Sequence, residues 1–416
     1  MSRNIFEKYD SKSLKKIFWA VGGLCFILGL YGWYDRFAYG HIHAHYGSVV
    51  TWGLWIAAYI YFIGLSAGSF LVSSLIYVFN IKAFEKIGRL ALFTAIVTLV
   101  LALLSVWADL GHEFRAWHVI VYANFTSPMA WMIYLYSFYV LIILLEFWLV
   151  NRKDFIVGAQ TQDWKGKIYR ILALKSKDIS DQSVERDHRW VKILASIGVP
   201  VAIMFHGGVG ALFGVVAARP HWHSGLFPIL FLLSALVSGG ALLAMVSIIF
   251  QDGYNKNKDT VILLGKMVLG MLILDVIFQV SEFLVAFRGG IPGHIAGLQM
   301  VISGKYWPVF WIWQVFLGTV VPIVILSSKL KNSAFYVGLA CLFIFVGIFG
   351  LRLNIVIPGL AVEEIKGLAT AVTSQRANVL YFPSLTEWML TIGVSGLGML
   401  MFGLGEILLP KEKHQE

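Results

Sequence analysis

The chain has 416 residues, a net charge of +10 and a mean hydropathy of +0.76, and only 13% of its residues are charged. Because a soluble protein carries about 25% charged residues, this composition excludes a soluble globular protein and indicates an integral membrane protein. The excess of positive charge would also suit a nucleic-acid-binding protein. Its placement along the chain follows membrane topology instead, so we expect no nucleic-acid partner.

Ten segments are apolar over the roughly 20 residues that a membrane-spanning helix requires. They are 17–34, 52–79, 88–108, 128–150, 191–217, 225–250, 261–287, 307–327, 335–357 and 385–409. The predicted fold is therefore an all-α integral membrane domain that occupies the whole chain, 1–416. No small-residue cleavage site follows the first segment, so we expect a retained helix and not a signal peptide.

The long connection 151–190 is charged and amphipathic. Trp164, Ile168, Ile171 and Leu172 recur in it at near-helical spacing. A helix of this kind lies in the membrane interface with its apolar face towards the lipid. We therefore predict an interfacial helix between the fourth and fifth spanning segments.

Lysine and arginine residues are unevenly divided between the two sides of the predicted helices. Twenty-five lie on the side of the N-terminus, the 151–190 connection and the C-terminus, and seven lie on the other side. Positively charged residues are retained on the cytoplasmic side of a membrane. The sequence therefore predicts a multi-pass protein of the bacterial inner (cytoplasmic) membrane with both termini cytoplasmic, and the connection after residue 108 faces outward.

A weak internal repeat relates two parts of the chain. Ser66-Ala-Gly-Ser in the second segment recurs as Ser238-Gly-Gly-Ala 172 residues later, and Asp109 has a counterpart in Glu282 at an offset of 173. Internal repeats are common in polytopic membrane proteins. The predicted domain parts are a first four-helix bundle at 52–217, a second at 225–357, and peripheral helices at 17–34 and 385–409.

The third segment ends in a polar stretch that runs from Trp107 to His118. Asp109, His112 and Arg115 place an acid, an imidazole and a guanidinium at the mouth of an apolar helix. Charged groups are costly beside lipid and usually functional there. The alternative is a polar turn in which Asp109 caps a helix and Arg115 meets lipid headgroups.

Arg219-Pro-His-Trp-His223 closes the fifth segment on the same predicted side as Asp109. Arg219 and Trp222, with Tyr59 of the second segment, suit a quinone site. Quinone carbonyls need hydrogen-bond donors, the ring stacks on aromatic side chains and the isoprenoid tail favours lipid. The alternative is an aromatic and basic belt at the membrane interface.

Two lines of polar residues follow single helical faces. Thr94, Thr98 and Ser105 lead towards Asp109, although such hydroxyls can equally bond their own helix backbone.

Asp275, Gln279 and Glu282 form the second line. A central Asp costs about 2.5–3.5 kcal/mol on insertion scales, so this line should face a bundle interior or a wet cavity. Proton transfer is the functional interpretation, and a polar cluster that locks helix packing is the alternative.

His206 lies well inside a spanning segment, beside Gly207 and Gly208. Its near-neutral pKa suits bonding to a quinone carbonyl or carrying protons, and a packing role is the alternative. Bis-histidine haem needs facing histidines, and Cys25 and Cys341 lie alone in apolar runs. We therefore expect no haem, iron–sulfur cluster or other metal site in this chain.

Gly64-Leu-Ser-Ala-Gly68 matches the G-x-S-x-G pattern of a catalytic serine. That motif requires a turn between a strand and a helix, whereas this copy lies within a long apolar run. We reject the nucleophile and predict that these small residues allow close packing of two helices.

Four stretches occur together in one order and spacing. They are Trp52-Gly-Leu-Trp through Ser-Ala-Gly-Ser-Phe70, Asp109-Leu-Gly-His-Glu-Phe-Arg115, Asn124-Phe-Thr-Ser-Pro-Met-Ala-Trp131 and Arg352-Leu-Asn-Ile-Val-Ile-Pro-Gly359. In this order they resemble the NrfD/PsrC-like family, the membrane subunits of polysulfide reductase and its relatives. The ten predicted helices are similar to the longer branch of that family.

The resemblance implies a quinone-binding, proton-handling subunit of a multisubunit respiratory oxidoreductase. Electrons would pass between an outer-face iron–sulfur subunit and a menaquinone or ubiquinone, with a molybdenum, nickel–iron or multihaem subunit beyond. Asp109 and Arg115 fall at the family's Asp-Leu-Gly-x-x-x-Arg position, and Arg219 and Trp222 match the outer end of its fifth helix.

The working hypothesis from the sequence is a quinone site in the first bundle and a proton line in the second. The predicted quinone residues are Tyr59, Asp109, His112, Arg115, His206, Arg219 and Trp222, and the predicted proton-transfer residues are Asp109, His206, Asp275 and Glu282, with Thr94, Thr98, Ser105 and Gln279 as a polar path. Two other classes remain open. A secondary transporter also has repeats and buried acids, and a cytochrome subunit would carry haem.

Overall fold

The computed structural model describes residues 11–251, 253–254, 256–363, 365, 367, 371, 374 and 379–409. Within these residues the chain folds into helices without any strand. The helices are α1 (Ser11–Tyr39), α2 (Leu54–Tyr77), α3 (Gly88–Asp109), α4 (Pro128–Gly158), α5 (Trp164–Leu172), α6 (Asp181–Gly214), α7 (Phe227–Phe250), α8 (Lys258–Arg288), α9 (Pro292–Ile302), α10 (Val309–Ser327), α11 (Ala334–Ala361) and α12 (Leu385–Leu408).

Ten of these helices, all except α5 and α9, are long and apolar enough to cross a membrane within the described part of the chain. The prediction of an all-α integral membrane fold with ten spanning helices is therefore confirmed. The helix ends define two faces. The Asp109 face holds the ends of α1, α3, α6, α8 and α11 and the starts of the other five, and the opposite face, rich in lysine and arginine, is called the basic face. The extreme termini, 1–10 and 410–416, lie outside the described residues.

The helix predicted within 151–190 is present as α5, and its position in the membrane interface stays a prediction. Asp163 begins it by accepting a hydrogen bond from the Gly166 backbone amide at 2.8 Å, and Tyr169 packs on Phe155 of α4. This corresponds to an N-cap, which satisfies an amide that has no partner within the helix.

Helix α6 begins at Asp181, ten residues before the predicted start of the fifth segment. The reason is a buried arginine that the apolar pattern does not reveal. Arg152 of α4 donates from Nε to Asp187 Oδ2 at 2.5 Å and from Nη2 to Ser183 Oγ at 2.5 Å. These contacts stabilise the polar first turns of α6 beyond the apolar segment.

The small-residue motifs of the repeat meet at the centre of the molecule, where α2 packs against α7. A Cβ added to Gly239 would lie 2.5 Å from the Gly68 Cα, and one added to Gly68 would overlap the Ala235 carbonyl oxygen. The prediction of close packing at Gly64–Gly68 is thus confirmed. Helix α11 also packs against α2 and α7, so α2 lies between the predicted halves. The division into two four-helix bundles stays a prediction.

Helices α1 and α12 pack along each other although they lie at opposite ends of the chain. Gly29 and Gly393 approach so closely that a Cβ on either would overlap the other's backbone. Helix α12 also packs against α3. This contact brings the start of α12 beside the end of α3, where Asp109 lies.

The first part of α10, Val309–Val320, is a π-helix. Such helices are rare and occur mostly at functional sites. The wider turn buries Gln314, while a Cβ on Gly318 would lie 2.6 Å from the Gly347 Cα of α11. The apolar pattern of 307–327 predicts a spanning helix and carries no sign of this change in helix type.

Candidate functional site

Asp109 lies at the end of α3 in a buried polar region on the Asp109 face. The Tyr46 hydroxyl faces its carboxyl, and Arg36 and Glu387 are its charged neighbours. Asp109 Oδ1 and Tyr46 Oη are both buried and interact with each other, but neither makes a hydrogen bond of ordinary geometry to a described residue. We call these four residues the Asp109 region.

Arg36, at the end of α1, holds this region together. Its side chain is only 3% exposed. Nε donates to the Ala108 carbonyl at 2.6 Å, and Nη2 donates to the Leu110 carbonyl at 2.5 Å and to Glu113 Oε2 at 3.4 Å. The guanidinium thus binds the carbonyl end of α3, where a positive charge is favourable, and it lies beside the Asp109 carboxyl.

Glu387, in the first turn of α12, supplies a second buried carboxylate. It forms a capping box with Ser384, and its carboxylate also accepts a hydrogen bond from the Tyr381 hydroxyl. Tyr381 Oη in turn accepts the Leu54 backbone amide at 2.7 Å. Glu387 thereby ties the start of α12 to the start of α2.

Both tyrosines of this region keep their protons. Burial, followed by the nearby Asp109 and Glu387 carboxylates, raises the pKa of Tyr46. Burial and Glu387 raise the pKa of Tyr381 well above its ordinary value. Both hydroxyls are therefore hydrogen-bond donors at every physiological pH, and the carboxyl that the Tyr46 hydroxyl faces is that of Asp109.

The structure does not bring His112 and Arg115 into this region, because both side chains are exposed in the connection after α3. The buried cation beside Asp109 is Arg36, which the sequence interpretation did not select. Its signal was a charged pair, Asp35-Arg36, directly after an apolar run. Glu387 was also missed, although an acid inside an apolar segment is a recognised sign of function.

Arg219 and Trp222 lie against the end of α11. Arg219 Nη1 donates to the carbonyls of Leu360 and Val362 at 3.3 and 3.4 Å. Trp222 is buried and donates from Nε1 to the Ile355 carbonyl at 2.7 Å. Its indole stacks on Trp52, directly before α2, with ring centroids 5.7 Å apart. These contacts stabilise the end of α11.

The predicted polar path on α3 is bonded to its own helix. The hydroxyls of Thr94, Thr98 and Ser105 donate to carbonyls four residues earlier at 2.7–2.8 Å. Tyr59 is half-buried on α2, five residues after the helix begins, and is an electrostatic neighbour of Tyr136 on α4. The hydroxyl line therefore matches the backbone-bonded alternative in its hydrogen bonding.

A second polar region lies between α8, α10 and α11. Gln279 Nε2 donates to Asp275 Oδ2 at 2.6 Å, Gln314 Nε2 donates to Gln279 Oε1 at 2.9 Å, and Asn354 Nδ2 donates to Gln314 Oε1 at 2.8 Å. The π-helix of α10 supplies the central amide. We call this chain of side chains, with Arg352, the Asp275 region.

This region borders a cavity of about 70 Å³. Asp275, Gln279 and Glu282 all line it, so their spacing does place them on one face. His221 and His294 lie at the end nearer the Asp109 face, and burial lowers the pKa of His221 to about 4. One water needs about 10–15 Å³ of such cavity volume. The cavity therefore has room for a few waters and is too small for a quinone ring.

Arg352 of α11 lines the same cavity and is 1% exposed. Nη2 donates to Ser234 Oγ at 2.7 Å, and the guanidinium carbon lies 4.5 Å from the centroid of the Phe231 ring. Arg352 is an electrostatic neighbour of both Asp275 and His206. His206 is buried on α6 and thus faces this central arginine.

A family model described as "Polysulphide reductase, NrfD" matches residues 42–363. This range includes both polar regions apart from Arg36 and Glu387. The chain belongs to the NrfD family. The predicted resemblance is confirmed, and the chain is a multi-pass membrane protein of that family.

Three relatives of this NrfD protein carry informative names. A selenate reductase subunit of Mesobacillus selenatarsenatis is 39% identical over 97% of both chains. The Hdr-like menaquinol oxidoreductase integral membrane subunit of Archaeoglobus fulgidus is 28% identical over 88% of this chain and 87% of its own. The menaquinone reductase integral membrane subunit of Nitratidesulfovibrio vulgaris is 25% identical over 92% and 88%.

Proposed function

We propose that this chain is the quinone-binding, proton-handling membrane subunit of a multisubunit respiratory oxidoreductase. Its substrate is a menaquinone or ubiquinone of the bacterial inner membrane, and both of its termini are cytoplasmic. The names of two relatives refer to menaquinol or menaquinone. The first relative is named as part of selenate reductase, which supports a role within a larger complex.

The observation that carries this proposal is a buried pair at the Asp109 face, Tyr46 Oη and Asp109 Oδ1, which interact with each other but make no hydrogen bond of ordinary geometry to any described residue. Leaving a buried polar atom without a partner costs about 1–3 kcal/mol, so such a pair fits a site that a ligand completes. A quinone headgroup has oxygens that can accept from the Tyr46 hydroxyl and exchange a proton with the Asp109 carboxyl. When bound, the quinone supplies the exchange of two electrons and two protons.

Each nearby residue then has a defined task. Tyr46 donates a hydrogen bond that orients the ring, and Asp109 holds or releases the proton. Arg36 keeps a positive charge beside the Asp109 carboxyl and anchors the end of α3. Tyr59 lies near the start of α2, towards the Asp109 face. Arg219 and Trp222 hold the end of α11 in place.

We further propose that an iron–sulfur subunit binds to the Asp109 face on the outer side of the membrane. His112 and Arg115 are exposed there, together with Phe114 and Trp117. Arginine and aromatic side chains are enriched at protein interfaces. A molybdenum, nickel–iron or multihaem subunit would bind beyond the iron–sulfur subunit.

The test is Asp109→Asn in the complex purified with its partner subunits. Loss of a proton-transferring group at a reacting centre costs about 10²–10⁴-fold in rate, so we expect quinone-coupled turnover to fall at least 100-fold while the partners still co-purify. Glu185→Gln, an exposed carboxylate on α6, is the control and should turn over like the wild type. Turnover of Asp109→Asn at the wild-type rate would refute the site.

A further inference from the structure

Glu146, in the middle of α4, is a carboxyl that the quinone site leaves unused. Its side chain is completely buried, and neither carboxylate oxygen has a hydrogen-bond partner among the described residues. A carboxyl in that position is costly within a membrane and usually belongs to a proton or ion path. The sequence signal was a single acid inside the apolar run 128–150.

Between Glu146 and the Asp109 face, a series of hydroxyl groups lies along α4 and α2. Tyr139, two helical turns earlier on α4, has its hydroxyl 3.4 Å from Ser66 Oγ of α2. Helices α2 and α4 both run from the Asp109 face to the basic face. Glu146 lies seven residues after Tyr139 on α4, and Ser73 lies seven residues after Ser66 on α2. Both therefore lie about 10 Å closer to the basic face, on the same faces of their helices.

This series of hydroxyl groups continues towards the Asp109 face. The Tyr136 hydroxyl donates to the Leu99 carbonyl at 3.2 Å, and Tyr136 and Tyr59 are electrostatic neighbours. The ring of Phe205 packs against Tyr136 and Tyr139 with centroids 5.4 and 5.6 Å away. The tyrosine hydroxyls thus lie at successive depths between Glu146 and the first turns of α2.

On the side of the basic face, Glu146 lies one helical turn from a groove that is open to solvent. A groove of about 410 Å³ opens at the basic face and is lined by Leu149 and Val150, the residues one turn after Glu146. Lys153 and the Arg89–Asp154 ion pair also line it. A polar groove of this size has room for many waters, and it reaches to within one helical turn of the buried carboxyl.

We propose that Glu146 is the proton-loading carboxyl of a path that joins the basic face to the quinone pocket at the Asp109 face. The inference rests on the proposed function. During quinone reduction, Glu146 releases a proton towards Tyr139 and regains one from water in the groove, so the carboxyl ends as it began. Two protons taken up in this way balance the two electrons that the iron–sulfur subunit delivers, and quinol oxidation runs the same path in reverse.

The experiment uses the complex with its partner subunits and a soluble quinone analogue. Glu146→Gln keeps the size of the side chain but cannot carry the proton. We expect kcat to fall at least tenfold with the KM for the quinone analogue unchanged, because the pocket lies about 25 Å away along α4. Sodium azide should restore most of the rate, because its conjugate acid is small and weak and can carry protons into the groove. The control, Glu185→Gln, should show neither effect.

A second readout does not depend on turnover. The infrared carbonyl band of a protonated carboxyl should shift in D₂O in the resting wild-type complex and be absent from Glu146→Gln. If Glu146→Gln fails to assemble, Tyr139→Phe replaces it, with the same expected fall in kcat and wild-type KM. A wild-type kcat, a loss that azide does not reverse, or an unchanged infrared band would overturn the inference. If Asp109→Asn still blocks turnover in that case, the quinone site stands and only the path fails.

Discussion

The Asp109 region and the Asp275 region are both buried and acidic, but they differ in how their polar atoms are satisfied. In the Asp275 region, neutral amides pass hydrogen bonds from one to the next, from Asn354 to Asp275, while Asp275 Oδ1 and Arg352 Nε and Nη1 have no hydrogen-bond partner among the described residues. In the Asp109 region, Arg36 and Glu387 are bonded to backbone groups and Tyr381, whereas Tyr46 Oη and Asp109 Oδ1 interact with each other without a hydrogen bond of ordinary geometry to a described residue.

The two regions therefore differ in their place in the fold and in how their side chains are linked, and both contain buried polar atoms without a hydrogen-bond partner among the described residues. The cavity beside Asp275 has room for only a few waters, which suits proton transfer. The Asp109 region lies at helix ends on the surface where a partner can bind, and it retains the donor and the acid that a quinone needs.

The largest effect is expected at the helix crossing that supports both regions. Gly68→Leu would drive a side chain into the Ala235 carbonyl of α7, and overpacking of a tight contact costs about 1–3 kcal/mol or more. We expect loss of the folded protein from detergent extracts, measured by size-exclusion chromatography. Gly270→Leu on α8 is the matched control, since a Cβ there meets no atom within 4 Å. Equal yields of both variants would contradict the packing.

The next effect concerns the amide chain. Gln314→Leu leaves Gln279 Oε1 and Asn354 Nδ2 without their partners, and each orphaned buried group costs about 1–3 kcal/mol. We expect a lower thermal unfolding temperature of the purified complex. Ile312→Leu, an exposed position on the same π-helix, should leave the temperature unchanged. A quinone KM altered by Gln314→Leu would argue against the separation of the two regions.

Tyr46→Phe tests the Asp109 region without changing its charge. It removes a hydroxyl that makes no hydrogen bond of ordinary geometry to the described residues, so we expect little loss of thermal stability. If that hydroxyl donates to the quinone, losing a hydrogen bond of about 1.4 kcal/mol raises the KM tenfold. Steady-state kinetics with a quinone analogue decide this, and a destabilised protein with a normal KM would make Tyr46 a structural residue.

The smallest effect is a pH dependence from His221. Burial lowers its pKa from 6.5 to about 4 in the folded protein. The unfolded chain therefore binds the proton first as pH falls, and folding stability is lost between about pH 6.5 and 4, by at most about 1.4 kcal/mol per pH unit. Thermal unfolding of His221→Gln across this window should show a shallower pH slope than the wild type, and an identical slope would exclude this origin.

The helices were predictable because each needs only a local run of about 20 apolar residues. All ten spans, the helix in 151–190 and the close packing at Gly68 follow from such local patterns. The shared face of Asp275, Gln279 and Glu282 also follows, since it depends on one helix alone. The π-helix was not predictable, because it depends on how Gly318 meets Gly347 on another helix.

The polar neighbours of Asp109 were the least predictable part. Arg36 precedes Asp109 by 73 residues and Glu387 follows it by 278. Proximity in sequence instead favoured His112 and Arg115, which the structure exposes. Glu146 and Arg352 carried a recognisable signal as single charges in apolar runs, but no local pattern says which helices surround them.

Hydropathy and motif spacing are local properties, so they were enough to predict a membrane protein of the NrfD family with an acid at the end of α3, and the described residues contain the ten predicted spans. Only the tertiary structure decided which groups surround that acid. A buried charge has to find its counter-charge or hydrogen-bond partner in space, and here α1, α12 and the Tyr46 connection supply those groups from distant parts of the chain.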